Sequence, residues 1–332
     1  MATEHGVALL TAGDPAPAPN ARRLVRLQRL RRALQAGFFL LFLLAPALNL
    51  FRFDLTETQL WVLGFRWSLG IDAFVRGEAT ATQTAIAILL RGILPVVMLA
   101  VVFLTVAYHY GRLYCGWLCP HFSLVETLND LLHRASGKLS VWDRGATQRG
   151  GREPQRRWWP LFVLSCAVFG FLWAITLLTY LLPPATIWGN LVHGTLTPNQ
   201  ARFIGIASGV FTLEFLFARH LFCRFGCAVG LFQSLAWMAN PKALVIAFDR
   251  GRARDCRSCA TSKAPDGAAC DSACPMRLTP RNIKRQMFAC VQCGQCITEC
   301  ESSHAAQQRE PNLEWKVGLD AVRETLRQRR QE

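Results

Sequence analysis

The chain has 332 residues, 52% of them apolar, a formal net charge of +15 and thirteen cysteines. That length allows two domains, and the apolar residues gather in runs that no soluble domain requires. The positive charge does not indicate nucleic-acid binding, because no basic, aromatic-interleaved module carries it; a lipid surface or an acidic redox partner suits it better.

In chain order, residues 1–32 form a basic N-terminal arm, and its first twenty residues, with Asp14-Pro15-Ala16-Pro17-Ala18-Pro19, read as disordered. Apolar runs at 33–51, 92–108, 158–182 and 203–218 predict four membrane helices within a membrane domain spanning 33–250. Ala45-Pro46-Ala47 also resembles a signal-peptidase site, the competing reading of the first run. Residues 54–80, with Trp61, Phe65, Trp67 and Phe74, suit a segment lying at the outer interface. Arg91 either snorkels from the outer end of the second run or binds a quinone oxygen. The stretches 121–133 and 230–238 carry apolar residues at helical spacing and should lie along the inner membrane surface.

Lys/Arg asymmetry sets the orientation. Six arginines lie between Arg22 and Arg32 and eight Lys/Arg in the second connection, whereas the connection from Pro183 to Ala201 has none. Both termini, and everything after the fourth run, are therefore expected on the cytoplasmic side. Thirteen cysteines in that reducing compartment fit metal ligation rather than disulfides.

Residues 251–305 hold most of the chemistry. Cys290-x2-Cys293-x2-Cys296-x3-Cys300 is the ligand run of a bacterial-ferredoxin [4Fe–4S] cluster, and Cys256-x2-Cys259-x10-Cys270-x3-Cys274-Pro275 repeats it with an enlarged middle loop. In two-cluster ferredoxins the fourth cysteine of each run serves the other cluster. One cluster would then take Cys256, Cys259, Cys270 and Cys300, the other Cys290, Cys293, Cys296 and Cys274. Between the runs, Thr279-Pro280 starts a predicted connecting helix through Met287. Residues 306–332 form a basic tail, helical from Leu319.

The membrane part contains a repeat. Cys115-x3-Cys119 and Cys223-x3-Cys227 recur 108 residues apart, each after an apolar run and before an amphipathic stretch. Duplicated halves pack about a pseudo-two-fold axis with the site at their interface, so the two loops should meet. Four soft thiols suit a further iron–sulfur cluster or copper. His109, His121 and His220 surround these loops as metal ligands, proton relays or merely interfacial residues. Cys166, alone in the third run, reads as packing. Glu214 lies inside the fourth run, where a carboxylate is costly; it either accepts a proton from a quinol or pairs with Arg219 or Arg112.

CGWLCP at 115–120, CRFGC at 223–227, four spans and the C-terminal double run together resemble the membrane polyferredoxin family, which includes NapH-type, NosR-type and CcoG-type proteins. Length and domain content resemble the NapH type most. The resemblance implies a membrane α-helical bundle with an internal two-fold repeat plus a small α+β ferredoxin-like double-cluster domain. It also implies a multi-pass inner-membrane protein relaying electrons from the quinol pool through two [4Fe–4S] clusters to a partner reductase. A copper-reducing assembly factor for an oxidase is the alternative, and a redox sensor a third. No G-x-G-x-x-G fingerprint accompanies the cysteines, so hydride chemistry on this chain is not expected.

Overall fold

The computed structural model of the protein describes residues 19–56, 59–143, 154–258, 268–305 and 308–329. The N-terminal stretch expected to be disordered falls, through residue 18, outside them, as does Cys259. The described chain is helical with two small antiparallel sheets, one of three strands and one of two. Among the described residues three helices are long and apolar enough to cross a membrane: Ala81–Tyr110, Arg156–Thr179 and Pro198–Gly226.

Their starts follow from local chemistry. Thr80 and Thr197 each close a capping box with the glutamine three residues on, Gln83 and Gln200, and Pro198 adds a preset φ at the first helical position. Both membrane-length helices that begin there contain π-helical turns, at Ile88–Ile93, Glu214–Ala218 and Phe222–Gly226. The expected first span at 33–51 differs. A single helix runs from Pro19 to Leu44, then turns at Pro46 and enters a strand, so its apolar part alone is too short to cross a bilayer. The same helix continues unbroken through residue 32, so the second half of the predicted arm is helical.

The contacts divide the chain into two compact units. One comprises 38–105 and 165–215. In it, strands β1 (Phe51–Asp54), β2 (Gln59–Val62) and β3 (Phe65–Trp67) form a meander whose second and third strands lie in the segment read as interfacial. Arg52 and Asp54 make a buried ion pair there at 2.6 Å, with the Arg52 guanidinium over the Trp61 ring. Trp67 Nε1 donates to the Arg91 carbonyl at 2.9 Å, and the Arg91 guanidinium reaches Ser68 O. The aromatic core gathers on Trp173, whose ring lies 4.8 Å from Phe42 and 6.4 Å from both Phe211 and Phe215. Cys166 is fully buried. A further helix, Pro184–His193, occupies the connection without Lys or Arg.

The other unit comprises the N-terminal residues to 37, 106–164 and 216–332. Pro120–Ser136 and Ala228–Ala239 are the helices expected after the two cysteine loops. Strand β4 (Val245–Phe248) pairs antiparallel with β5 (Leu313–Lys316), in the register Val245↔Lys316 to Phe248↔Leu313. This pairing ties the segment before the first cysteine run to the predicted tail, whose Leu319–Arg329 end is helical. The double-run module therefore extends past the boundaries at 251 and 305. The connecting helix is shorter than expected, a 3₁₀ turn at Lys284–Met287. Lys284 is drawn inward there, donating from Nζ to Asn240 O at 2.7 Å and Trp237 O at 3.0 Å.

Candidate metal centre

Two small cavities lie in this second unit. Cys256, Cys270 and Cys300 line one, with Asn312 and His304. Cys274, Cys290, Cys293 and Cys296 line the other, with Met276, Leu278 and Met287. Cys259 lies outside the described residues. The sulfurs thus sort between the cavities so that the last cysteine of each run sits with the first cysteines of the other.

Short elements hold these thiols in place. The helices Ala269–Ser272 and Gln295–Ala305 carry Cys270, Cys296 and Cys300. Gln292 and Gly294 take positive φ values of 51° and 71°, folding the chain sharply around Cys293. Backbone and side-chain amides point at the sulfurs: Asn312 N donates to Cys300 Sγ at 3.3 Å, Asn312 Nδ2 to Cys256 Sγ at 3.4 Å, and Leu278 N to Cys274 Sγ at 3.4 Å. His304, buried, has Nδ1 2.8 Å from Cys300 O.

Burial pushes these thiols up, Cys274 to about 12, and Cys270, Cys290, Cys293, Cys296 and Cys300 likewise upward. A thiol held neutral in this way ionises when a metal takes the proton's place, and N–H donors aimed at sulfur then stabilise the thiolate. Among the described residues no three His, Cys, Asp or Glu side chains converge tightly enough for a single ion. A cubane, which spreads its ligands over four corners, suits the sulfur-lined cavities better than a lone zinc.

The second thiol set lies at the two repeated loops. Cys115 belongs to the short helix Leu113–Trp117, Cys223 to the π-helical turn, and Cys119 and Cys227 each stand immediately before a helix with extended ψ, 119° and 110°. The repeat is therefore visible in the backbone. His121 Nδ1 lies 3.4 Å from Cys223 Sγ, a direct link from the first loop to the second. Gln233 Nε2 donates to Cys115 Sγ at 3.3 Å. Burial raises Cys119 to about 12. His220 is buried, and the His109 carbonyl accepts from Leu244 N at 2.8 Å, so His109 contributes backbone there.

Glu214 is half-buried at the first residue of a π-helical turn, where a widened helix exposes backbone groups. Arg219 and Arg112, the arginines named beside it, also make contacts of their own. Arg219 donates from Nε to Asn129 Oδ1 at 2.9 Å and lies over the Phe162 ring, and Arg112 donates to Cys223 O at 2.7 Å.

Several residues around the cysteines escaped sequence reading. Arg31 is fully buried, with guanidinium bonds to Glu126 at 2.6 and 3.0 Å and to Gly116 O at 3.2 Å. Gln35 Nε2 donates to the same carbonyl at 3.1 Å and to Glu126 at 3.0 Å, and Gln295 also reaches Glu126. Gln28 Nε2 donates to Cys293 O at 2.9 Å. The N-terminal helix thereby grips one loop of each cysteine set. Burial alone would raise the Glu126 carboxyl, but Arg31 and Arg32 outweigh it and hold it down at about 2.

Residues 90–138 match the sequence model of a family described as a 4Fe–4S binding domain. The match contains Cys115 and Cys119 and supports at least one iron–sulfur cluster on this chain. The chain is 23% identical over 211 residues to a protein named for electron transport, YccM of Escherichia coli K12, covering 61% of this chain and 52% of that one. It is 27% identical over 207 residues to Protein RdxA of Cereibacter sphaeroides, covering 58% and 41%, and 23% identical over 212 residues to the uncharacterized protein MJ0749 of Methanocaldococcus jannaschii, covering 63% and 69%. The chain thus spans about half the length, or less, of the first two relatives. No solved structure matches it.

Proposed function

We propose that this chain is a membrane-anchored iron–sulfur electron-transfer protein of the polyferredoxin kind, nearest the NapH type. The observation that carries the reading is the sorting of the described C-terminal cysteines between two cavities, as cross-run ligation requires. One [4Fe–4S] cluster would be held by Cys256, Cys259, Cys270 and Cys300, the other by Cys274, Cys290, Cys293 and Cys296. Bound there, such clusters supply one-electron carriage without proton or hydride transfer.

The paired loops, Cys115, Cys119, Cys223 and Cys227, are assigned a further iron–sulfur group. The 4Fe–4S family match falls on the first of them, and two cysteines cannot complete a cubane without the second loop. Copper at this set remains the competing occupant, as an assembly factor would require. The three long apolar helices, helped by the apolar end of the Pro19–Leu44 helix, anchor the chain in the bacterial inner membrane. Lys/Arg bias puts both termini and the cysteine module on the cytoplasmic side. Quinol is the proposed donor, Glu214 its proton acceptor, and a separate reductase the acceptor.

Iron and copper counts on anaerobically purified protein, with EPR of the reduced state, test this reading. About twelve iron atoms per chain are expected, four for each cluster. Colourless, iron-free protein would refute it, and copper in place of the last four irons would favour the assembly-factor alternative.

A further inference from the structure

The two sulfur-lined cavities stand in different relations to the paired loops. Gly116, between Cys115 and Cys119, packs so closely on the Val291 carbonyl that no Cβ fits at this position. Beside it, Trp117 Nε1 donates to Gln292 O at 3.1 Å. Arg112, 2% exposed, donates to Cys223 O at 2.7 Å and extends its other terminal nitrogen to within 3.5 Å of Ala289 O. Gly230 leaves room for that guanidinium, since a Cβ there would overlap it. Ser234 Oγ donates to Phe288 O at 2.7 Å. The contacts to Phe288, Ala289, Val291 and Gln292 all fall on one stretch, which carries Cys290 and leads directly into Cys293.

We propose that Arg112, Gly116 and Trp117 are positioning residues that clamp this stretch onto the paired loops. The set Cys274, Cys290, Cys293 and Cys296 is thereby the one coupled to Cys115, Cys119, Cys223 and Cys227, and the set containing Cys256 is the remote end of the relay. This rests on the function proposed above. Electron exchange weakens steeply with distance and with gaps in packing, and a buried backbone held by donors on both sides has neither freedom to withdraw nor a cheap alternative partner. With clusters held at both places, one electron would pass between the group at Cys115, Cys119, Cys223 and Cys227 and the group at Cys274, Cys290, Cys293 and Cys296, one being oxidised as the other is reduced. No bond is broken and no proton moves.

The test combines EPR of the reduced full-length chain with alkylation of the apoprotein. Replacing Cys115 and Cys119 by serine should remove a magnetic splitting from the signal of the Cys290 run and leave the signal of the Cys256 set unchanged. Trp117→Phe, which deletes one hydrogen bond and keeps a ring, should narrow that splitting at unchanged iron content. In the apoprotein, Gly116→Val should raise the iodoacetamide reactivity of Cys290 and Cys293 several-fold without changing that of Cys270. The inference is overturned by a fully iron-loaded chain whose paired-loop group couples to the Cys256 set, by splittings indifferent to Trp117→Phe, by paired loops that hold no iron, or by alkylation that rises equally at all sites. Iron-free protein defeats the functional reading instead, and the alkylation pattern then still decides the clamp.

Discussion

Glu126→Gln is the sharpest test of how the cysteine loops are held. The Glu126 carboxylate, 2% exposed, accepts from Arg31 and Gln35, contacts Gln295 and pairs with Arg32 at 3.0 Å. Its ionisation is held at about 2 against an ordinary value of 4.5. At ~1.36 kcal/mol per pKa unit, that gap is worth roughly 3 kcal/mol of stability at neutral pH. An independent route agrees, since removing one partner of a buried ion pair costs about 3–5 kcal/mol. The glutamine keeps the shape and leaves the Arg31 charge buried without its anion, so a loss of about 3 kcal/mol at pH 7 is expected in thermal melts of the detergent-solubilised protein.

The pH dependence has a definite sign. A carboxyl whose folded ionisation is depressed contributes fully above 4.5, and the contribution is lost as pH falls toward 2, because the unfolded chain takes up the proton first. Wild type and Glu126→Gln should therefore differ most above pH 4.5 and converge in acid. Adding Arg31→Met to Glu126→Leu should recover part of the loss by removing both charges together. A Glu126→Gln penalty under ~1 kcal/mol, the range of exposed pairs, would refute the buried network.

Other variants probe the sulfur sites and the membrane segment. Cys300→Ser should remove about four iron atoms per chain, and Cys274→Ser the same number from the other set, checked by iron analysis and EPR. Asn312→Leu removes the side-chain donor aimed at Cys256 and keeps the backbone N–H aimed at Cys300, so the midpoint potential of that cluster should fall by about ten to a few tens of millivolts in a redox titration while the other cluster's holds. Glu214→Gln should slow cluster reduction by a quinol analogue at least tenfold and leave reduction by dithionite unchanged, if the carboxylate takes the quinol proton. Burial pulls the Lys284 ammonium down to about 8, so melts of the wild type should gain stability as pH rises from 8 toward 10.5, and Lys284→Met should abolish that gain.

The grouping of the described cysteines around two cavities was legible because spacing constrains it. Three cysteines two residues apart reach one small volume whatever the surrounding fold, and the Cys-x3-Cys repeat announced its own equivalence. The long apolar helices were legible for a similar reason, since composition over about twenty residues decides them. Pairings between distant residues left no such trace. The strands β1 to β3 arise where aromatic residues had suggested only an interface, and β4 finds its partner more than sixty residues later. At Pro46 the first apolar run breaks into a turn and strand, a tertiary choice that hydropathy averaged away.

The basic residues show most clearly why sequence reading stopped short. Counting arginines before the first apolar run treats them as interchangeable charges facing the cytoplasm, and for a topology rule that is sufficient. Arg31 and Arg112 instead spend their charge inside, one on Glu126 and the Gly116 carbonyl, the other on Cys223 O and toward Ala289 O. Burial is tolerable because each guanidinium meets anions or carbonyls in fixed directions, which a lysine's point charge would satisfy less completely. Cations fixed beside clusters that carry negative charge also favour the reduced state. Arg112→Lys should therefore keep a positive charge near the paired loops yet lose the bridge to Ala289, separating the electrostatic role from the positional one: the cluster potential would hold while the coupling to the Cys290 run fell. An equal loss of both would mean that the two roles reside in the same hydrogen bonds.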